Sequence, residues 1–572
     1  MAASLLLQWI ETEMDQKFAD RRAFIGGLGA AALAMPVLLG APRAEAAAPP
    51  FVHGVASGDP LAQRVILWTR VTVSGDANPR VQWEMALDAA FTRSVRSGLV
   101  RTSATRDFTV KVDVDGLSPD TVYHYRFTYN GTRSPVGRTR TLPVVAREAI
   151  RLAVFSCSNY PAGYFHAYAQ AARMADLHAA VHLGDFIYEY GRGGYASDDA
   201  AAMGREVLPP HECVSLSDYR IRHAQYRTDP GLQALMASVP MIAVWDDHEV
   251  CNNTYRTGAA NHTAGVEGDY VTRRDAALKA YHEWLPVRTP DTGDLRRIYR
   301  SFDFADVLSL HMLETRLLAR TEQLSAADFV GPDGINAAAL YAAANAPDRA
   351  LLGGTQLAWL QEQMAGSRAT WQVLGQQVLM GHMDIPAAIG LGQISVGGYE
   401  ALTRKATDNP GDLTRAERYI LDQPVVPWSL DAWSGYGAER EAVFAAARRL
   451  DRNLVVLAGD THNAWANDLV DQSGQPIGVE FATPGVSSPG MEASRRTDDP
   501  DQLARWMVGN VPHLRYAETR RRGFMVVSAT REACQSTWYF VDTVKSDRYR
   551  IEPGPTWQTL PGTDQRRLLP LA

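Results

Sequence analysis

A carboxylate and a phenol lie three positions apart in one stretch of the chain, Val181-His182-Leu183-Gly184-Asp185-Phe186-Ile187-Tyr188. The apolar run before Gly184 predicts a buried strand, and the glycine predicts a tight exit from it. Asp185 therefore follows the carboxyl end of a strand, the edge at which open α/β sheets bind ligands. Because Tyr188 is at i+3, both oxygens can approach one point, where they would suit a Lewis-acidic metal such as ferric iron.

Other predicted strands and turns deliver further candidate ligands to the same edge: Cys157, Asp246, Asp247, His248, Asn252, Asn253, Asp460 and His462. Two neighbouring cations need a bridging carboxylate with terminal O, N and S donors, and Asp185 is the natural bridge because ligands flank it on both sides. Such a cluster can clamp a phosphate oxygen and lower the pKa of a bound water. The attacking group would then be a metal-bound hydroxide.

The elements that must position these residues change character near residue 150. Residues 47–147 contain short alternating strands separated by turns, which predict a small all-β sandwich domain. From residue 148 to 572, apolar strands alternate with helical stretches, which predicts a layered α/β domain. The predicted fold class is thus a layered α/β sandwich preceded by a small β-sandwich. Arg316 lies near the proposed edge and is interpreted as a rim or structural arginine.

The first 46 residues indicate export. Arg21-Arg22 precedes a weakly apolar Gly/Ala-rich stretch, and Ala44-Glu45-Ala46 is a small-x-small cleavage site. We therefore expect a twin-arginine signal peptide, recognition by the twin-arginine export machinery, and a periplasmic or secreted mature protein without a transmembrane anchor. The net charge of -7, without a long basic block, argues against a nucleic-acid-binding surface. Four cysteines are too few for a disulfide scaffold, and pairing of Cys213 with Cys251 stays open.

Taken together, these motifs resemble the PhoD-type alkaline phosphatase/phosphodiesterase family, a branch of the metallophosphoesterases. The segments that carry the resemblance occur in order along the chain: Phe155-Ser156-Cys157-Ser158, Gly184-Asp185-Phe186-Ile187-Tyr188-Glu189-Tyr190, Trp245-Asp246-Asp247-His248-Glu249, Asn252-Asn253 and Gly459-Asp460-Thr461-His462. With further similar segments, the resemblance runs from about residue 51 to 542.

The resemblance implies a ferric ion paired with calcium in a shallow site that hydrolyses phosphate esters. The iron ligands implied are Cys157, Asp185, Tyr188 and His462; the calcium ligands implied are Asp185, Asp247, Asn252, Asn253 and Asp460. His248 would lie beside the substrate, where it would stabilise charge or protonate the leaving oxygen. The residues alone leave open which member of the Asp246–Asp247 and Asn252–Asn253 pairs binds, and whether zinc or manganese replaces the implied ions.

The expected activity is hydrolysis of phosphodiesters, and of phosphomonoesters as well, at alkaline pH. The substrate would be a small phosphate ester or a phospholipid head group. Two alternatives stay open: a phospholipase D-like diesterase of the same family, and an exported protein that uses calcium only for stability and catalyses nothing. The second alternative would leave His248, Cys157 and Tyr188 without a role.

Overall fold

The computed structural model describes residues 49–571 except 74, 146 and 333, so the predicted signal peptide lies outside the described residues. In the first part of the chain the strands are β1 (Val55–Gly58), β2 (Val65–Arg70), β3 (Arg80–Ala86), β4 (Ser94–Arg101), β5 (Thr109–Val114), β6 (Val122–Tyr129), β7 (Thr132–Arg133), β8 (Gly137–Arg140), β9 (Ile150–Phe155), β10 (Ala179–His182) and β11 (Met241–Ala243). They are followed by β12 (Thr254–Tyr255), β13 (Gly258–Ala259), β14 (Arg300–Phe304), β15 (Leu308–Met312), β16 (Val330–Gly331), β17 (Gly334–Ile335) and β18 (Trp371–Gly375).

The remaining strands are β19 (Asp384–Pro386), β20 (Val425–Pro427), β21 (Asn453–Ala458), β22 (Ala464–Val470), β23 (Pro476–Ala482), β24 (Leu514–Glu518), β25 (Arg522–Ala529), β26 (Cys534–Val541), β27 (Ile551–Thr559) and β28 (Leu569–Leu571). The longer α-helices span His166–Ala171, Leu216–Tyr226, Pro230–Ser238, Tyr270–Trp284, Ala337–Ala344, Gly353–Gly366, Val396–Asp408, Arg415–Leu421, Gly437–Arg449 and Pro500–Asn510. Short helices span Ala264–Glu267, Ala387–Gly390 and Met491–Ser494.

Two large mixed sheets form the centre of the molecule. The first has the order β28-β27-β26-β25-β9-β10-β11-β1-β2-β5, with β9, β10 and β11 parallel to one another. The second has the order β14-β15-β18-β21-β23-β22-β24, with β15, β18, β21 and β23 parallel. Parallel strands buried on both faces are expected to be continuously apolar, and β10 and β21 have this character.

The two sheets face each other across one apolar core, and helices cover their outer faces. Alternate residues of β21 show the layering: Val455 and Leu457 pack into the core shared with the first sheet, whereas Leu454 and Val456 pack outward. This outward layer includes Leu360 and Val443 from the helices Gly353–Gly366 and Gly437–Arg449. Because side chains alternate across a strand, each central strand joins two apolar layers.

The N-terminal strands form a β-sandwich in which one layer continues into the first large sheet. β1, β2 and β5 pair with one another, and β1 also pairs in parallel with β11. β4, β3, β6, β7 and β8 form a separate five-stranded sheet, and the two layers share a core that includes Val65, Val110, Met85 and Phe127. The expected fold class, a layered α/β sandwich preceded by an all-β region, is confirmed.

Candidate metal centre

The predicted ligands follow strands that end at one edge of the layered fold. Cys157 follows β9, Asp185 follows β10, Asp246 follows β11, and Asp460 follows β21. A parallel bridge between Ser156 and Gly485 joins the exits of β9 and β23, so both sheets end on the same side. We call this side, the carboxyl ends of β9, β10, β11 and β21, the carboxyl edge.

The backbone at the carboxyl edge has an unusual conformation. The left-handed region, which disfavours residues other than glycine, is occupied by Cys157 (φ 59°), Asp185 (φ 56°), Asn253 (φ 54°), Asp460 (φ 62°) and His462 (φ 62°). Non-glycine residues in this region concentrate at functional sites, where the surrounding structure holds them in place. Five predicted ligands share this conformation. The strained turns after the strands therefore orient these side chains towards the carboxyl edge.

The first ligand group combines sulfur, oxygen and nitrogen. Ligand atoms of Cys157, Asp185 and His462 all lie within 4.8 Å of one another. The Tyr188 hydroxyl belongs to the same group because it donates to Asp185 Oδ2 at 2.8 Å and lies 3.2 Å from His462 Nε2. Ser488 Oγ donates to that hydroxyl at 2.7 Å. A thiolate, a phenolate, an imidazole and a carboxylate at one point make a donor set that fits a transition metal.

The other two ligand groups extend from the first along the carboxyl edge. Asp185, Asp247 and His248 form the second group, and Asp246, Asp247 and Asp460 form the third, each with ligand atoms within 4.8 Å. Asp185 is shared by the first two groups, and Asp247 by the last two. Asp185 Oδ1 is buried and has no hydrogen-bond partner among the described residues. A buried carboxylate oxygen normally has a partner, so Asp185 Oδ1 would be available to hold a cation.

The two aspartates that the sequence could not separate have different partners. Asp246 Oδ1 accepts from Arg316 Nε at 2.5 Å, and both side chains are buried. The guanidinium lies 4.0 Å from the Asp247 carboxylate. Asp247 instead accepts from the backbone N–H groups of His248 and Asn253, at 3.0 and 2.6 Å. These bonds leave lone pairs of the Asp247 oxygens available for a cation.

Asn252 and Asn253 lie beside Asp247 in the loop that follows β11. Their backbone N–H groups donate to Glu189 Oε1 at 2.8 Å and to Asp247 Oδ2 at 2.6 Å, respectively. Both residues are partly exposed. The loop is thus fixed by its backbone, and both asparagine side chains stay available to a ligand.

The electrostatics of the carboxyl edge favour a bound cation. Burial, reinforced by the Asp185 carboxylate, raises the pKa of the Cys157 thiol and the Tyr188 phenol well above their usual values. Burial is also the main cause that raises the pKa of Asp185, and burial with Asp431 raises the pKa of Asp460 to about 7. A bound cation reverses this balance because it stabilises the deprotonated forms.

His248 and Asp247 show the opposite shifts. Burial would lower the pKa of His248, but the carboxylates of Asp247, Glu189 and Asp185 raise it well above its usual value. Burial would raise the pKa of Asp247, but His248 and Arg316 hold it below its usual range. These shifts favour a protonated imidazole beside an ionised carboxylate.

Several buried residues that support the site were not singled out from the sequence. Glu249 accepts from the backbone N–H groups of Asp185 and Asp246, at 3.1 and 2.8 Å, and so ties two strand exits together. Arg522 donates to the carbonyls of His462 and Ser488, at 2.7 and 2.9 Å. The position of Glu249 directly after Asp-Asp-His was a usable signal in the sequence. Arg522 lies 60 residues from His462, and no local sequence pattern connects the two residues.

Two further interpretations of the sequence can be compared with the structure. Arg316, interpreted as a rim or structural arginine, is fully buried rather than at a rim; it forms ion pairs with Asp246 and Asp431 and also lies 3.6 Å from Asp460. Cys213 and Cys251 are both buried and free in the described structure, so no bridge joins them.

Two facing sheets that deliver sulfur, nitrogen and oxygen ligands to one edge are the architecture of a metal-assisted hydrolase. The chain belongs to the PhoD-like phosphatase family, whose model matches residues 152–538, while the model of the family's N-terminal domain matches residues 37–143. It is 34% identical over 540 residues to alkaline phosphatase D of Bacillus subtilis strain 168. The aligned region covers 89% of this chain and 83% of that protein.

A solved structure of PhoD resembles the whole fold, with a TM-score of 0.74 and 29% sequence identity over 93% of this chain and 94% of that one. The family expected from the sequence motifs is thereby confirmed, as is the expected enzyme class. The protein is a phosphoric ester hydrolase of the PhoD-like family.

Proposed function

We propose that the protein is an exported, metal-dependent phosphoesterase that hydrolyses phosphodiesters, and phosphomonoesters as well, at alkaline pH. The observation that carries the proposal is the overlap of three ligand groups at the carboxyl edge, with Asp185 shared by two of them. Adjacent cations joined by one carboxylate are the arrangement that clamps a phosphate during in-line displacement.

The donor chemistry supports a division of ligands between two kinds of cation. We assign Cys157, Asp185, Tyr188 and His462 to a ferric ion, because thiolate, phenolate and imidazole donors suit a transition metal. We assign Asp185, Asp247, Asn252, Asn253 and Asp460 to calcium, because they offer only oxygen donors of the kind that calcium takes. Zinc or manganese in the first position is the alternative that metal analysis decides.

The Ser488 hydroxyl and the Arg522 guanidinium keep the proposed iron ligands in place. Ser488 donates to Tyr188, and Arg522 donates to the carbonyls of His462 and Ser488. When bound, the cations would supply a hydroxide nucleophile and offset the charge that accumulates on the phosphate oxygens. Supporting hydrogen bonds of this kind fix the orientation of ligands and tune the metal.

His248 is the group that we assign to the leaving oxygen. A ring nitrogen of His248 lies within 4.8 Å of carboxylate oxygens of Asp185 and Asp247, so the imidazole borders the proposed phosphate position. The carboxylates of Asp247, Glu189 and Asp185 raise the pKa of His248 above its usual value, which favours the protonated imidazole. A protonated imidazole can hand its proton to an alkoxide or phenoxide as the phosphorus–oxygen bond breaks.

Export by the twin-arginine route and a periplasmic or secreted location are proposed from residues 1–46. Within the residues that the structure describes, none of the helices combines the length and apolarity that a membrane span requires. Replacing Arg21 and Arg22 with lysine should keep the full-length chain in the cytoplasm. Cell fractionation with an antibody against the mature chain would measure this, and unchanged export would contradict the proposed route.

The decisive experiment measures metal content and activity on the same sample of exported protein. We expect iron and calcium, with hydrolysis of bis-p-nitrophenyl phosphate that the Asp185→Asn substitution abolishes. A colourless but active zinc or manganese protein would overturn the iron assignment and keep the reaction. Calcium-dependent stability without hydrolysis would favour the calcium-stabilised binding protein. Hydrolysis confined to phospholipid vesicles would favour the phospholipase D-like diesterase.

A further inference from the structure

Glu189 is a buried carboxylate that contacts the proposed proton donor. Its side chain is 0% exposed, and its Oε2 lies 2.7 Å from His248 Nδ1. Its other oxygen, Oε1, accepts from the Asn252 backbone N–H at 2.8 Å and from Asn261 Nδ2 at 2.9 Å. Both oxygens are thus engaged, and every partner is a donor. This arrangement satisfies an ionised carboxylate, which accepts hydrogen bonds and donates none.

The hydrogen bond between His248 Nδ1 and Glu189 determines which ring nitrogen is available to a substrate. Since Nδ1 of His248 is occupied by Glu189, Nε2 is the nitrogen left for a substrate oxygen. The ring also stacks on Tyr188, with centroids 4.1 Å apart, and packs against Tyr190 at 5.4 Å. One hydrogen bond and two aromatic contacts therefore leave the imidazole little freedom to rotate.

The same carboxylate also fixes the loop that carries the proposed calcium ligands. The Asn252 N–H donates to Glu189 Oε1 and so holds this loop directly, and Asn261 N donates to the Asn252 carbonyl at 3.2 Å. Asn261 Nδ2 in turn donates to Glu189. Glu189 therefore lies at a junction between the imidazole and the backbone of the asparagine loop, and a shift of either would disturb the other.

We propose that Glu189 is a positioning residue that aligns His248 with the leaving oxygen and holds the Asn252–Asn253 loop in a fixed position beside His248. The inference rests on the proposed function, in which His248 protonates the leaving group. In that step water forms a new bond to phosphorus while the bond from phosphorus to the leaving oxygen breaks. The leaving oxygen takes the proton from His248 Nε2, and a proton released by the water restores the imidazolium.

Leaving-group dependence separates this role from a merely structural one. A p-nitrophenolate leaves without protonation, whereas an alkoxide needs a proton, so misalignment of His248 should affect alkyl esters far more. We expect Glu189→Gln to lower kcat by about 100-fold or more for a simple alkyl phosphate ester, and by about tenfold or less for bis-p-nitrophenyl phosphate. KM should change little for both substrates.

Four further variants make the test specific. His248→Gln should show the same leaving-group pattern, and the double variant Glu189→Gln/His248→Gln should lose little more than either single variant, because the two residues act as one unit. Glu189→Asp, which keeps the charge, should recover part of the lost rate on alkyl esters. Glu212→Gln is the matched control, because Glu212 also accepts from Asn261 Nδ2, at 3.1 Å, and does not contact His248. The Glu212→Gln variant should keep the wild-type ratio of kcat for the two substrates.

The opposite results would overturn the proposal. An equal loss on both substrates, or losses in the double variant that multiply, would show that Glu189 does not act through His248. Metal content and thermal unfolding of each variant are measured first, so that a loss of ions or of fold is recognised, and Glu189→Asp then carries the comparison if Glu189→Gln does not fold. A wild-type protein that hydrolyses neither ester would instead reject the proposed function.

Discussion

Arg316 Nε lies 2.5 Å from Asp246 Oδ1, and neither side chain is more than 1% exposed. The same guanidinium donates to Asp431 at 2.9 Å, and it lies 3.6 Å from the Asp460 carboxylate and 4.0 Å from that of Asp247. Asp246 is therefore committed to a short ion pair, while the adjacent Asp247 accepts hydrogen bonds from backbone N–H groups and lies 4.0 Å from the guanidinium. Two neighbours in the sequence are thus held differently, and we propose a structural task for Asp246 and a ligand-binding task for Asp247.

Substitution of each aspartate by asparagine should separate these tasks. Asp247→Asn should lower the calcium content and reduce kcat/KM for a diester by about 100-fold or more, with little change in the melting temperature. Asp246→Asn should lower the free energy of unfolding by about 3 kcal/mol, because Arg316 loses one of its partners in a buried site. Metal analysis and urea unfolding of both variants measure the difference. The reverse pattern would show that Asp246 is the ligand.

The sequence predicted the carboxyl edge because strand exits are local. An apolar run followed by Gly-Asp or Asp-Asp-His shows where a strand ends, and parallel strands then bring distant exits together. The sequence could not show which of Asp246 and Asp247 is free to bind a cation. That depends on the ion pair with Arg316, which lies 70 residues from Asp246. The sequence also did not indicate that β1 pairs with β11, because such pairing depends on tertiary contacts rather than on local pattern.

Tyr188 should contribute to the colour of the protein if iron occupies the first ligand group. Tyr188→Phe removes the hydroxyl that contacts Asp185 and His462, and with it the phenolate-to-iron charge transfer. We expect loss of the phenolate-to-iron part of the visible absorption, with the thiolate-to-iron part from Cys157 retained, and at least a tenfold lower kcat, on the order of other ligand-shell changes. Tyr190→Phe is the control, because Tyr190 packs on His248 through its ring and should keep the visible absorption. A visible spectrum that is unchanged without the Tyr188 hydroxyl would exclude phenolate ligation.

Asp59 should stabilise the junction between the N-terminal strands and the α/β layers. Its buried carboxylate accepts from Arg300 Nη2 at 2.5 Å and Nε at 2.9 Å, and from the Arg288 N–H at 2.6 Å. Asp59→Asn should lower the free energy of unfolding by about 3 kcal/mol, because a charged partner is removed from a buried pair. Asp306→Asn, at an ion pair whose Arg531 and Asp306 side chains are 52% and 44% exposed, should change it by less than about 1 kcal/mol. Equal effects in urea unfolding would contradict the role of burial.

His223 should make the fold sensitive to acid. The side chain is fully buried, and neither ring nitrogen has a hydrogen-bond partner among the described residues. Burial, reinforced by Arg227 and Arg222, lowers the pKa of His223 from 6.5 to about 3. Below pH 6.5 the unfolded chain binds a proton that the folded chain does not, so stability falls as the pH decreases towards 3.

Replacing His223 by phenylalanine should remove this one-proton dependence. Phenylalanine keeps the ring stacked between Phe186 and Trp284, where the imidazole now lies. Between pH 7 and pH 5 the wild type should lose about 2 kcal/mol more of its free energy of unfolding than His223→Phe does. Urea unfolding of both proteins at the two pH values, with activity at pH 8 as the check of a native site, measures this difference. Parallel pH profiles would mean that His223 takes up a proton in the folded protein, because its neighbours rearrange to hold the charge.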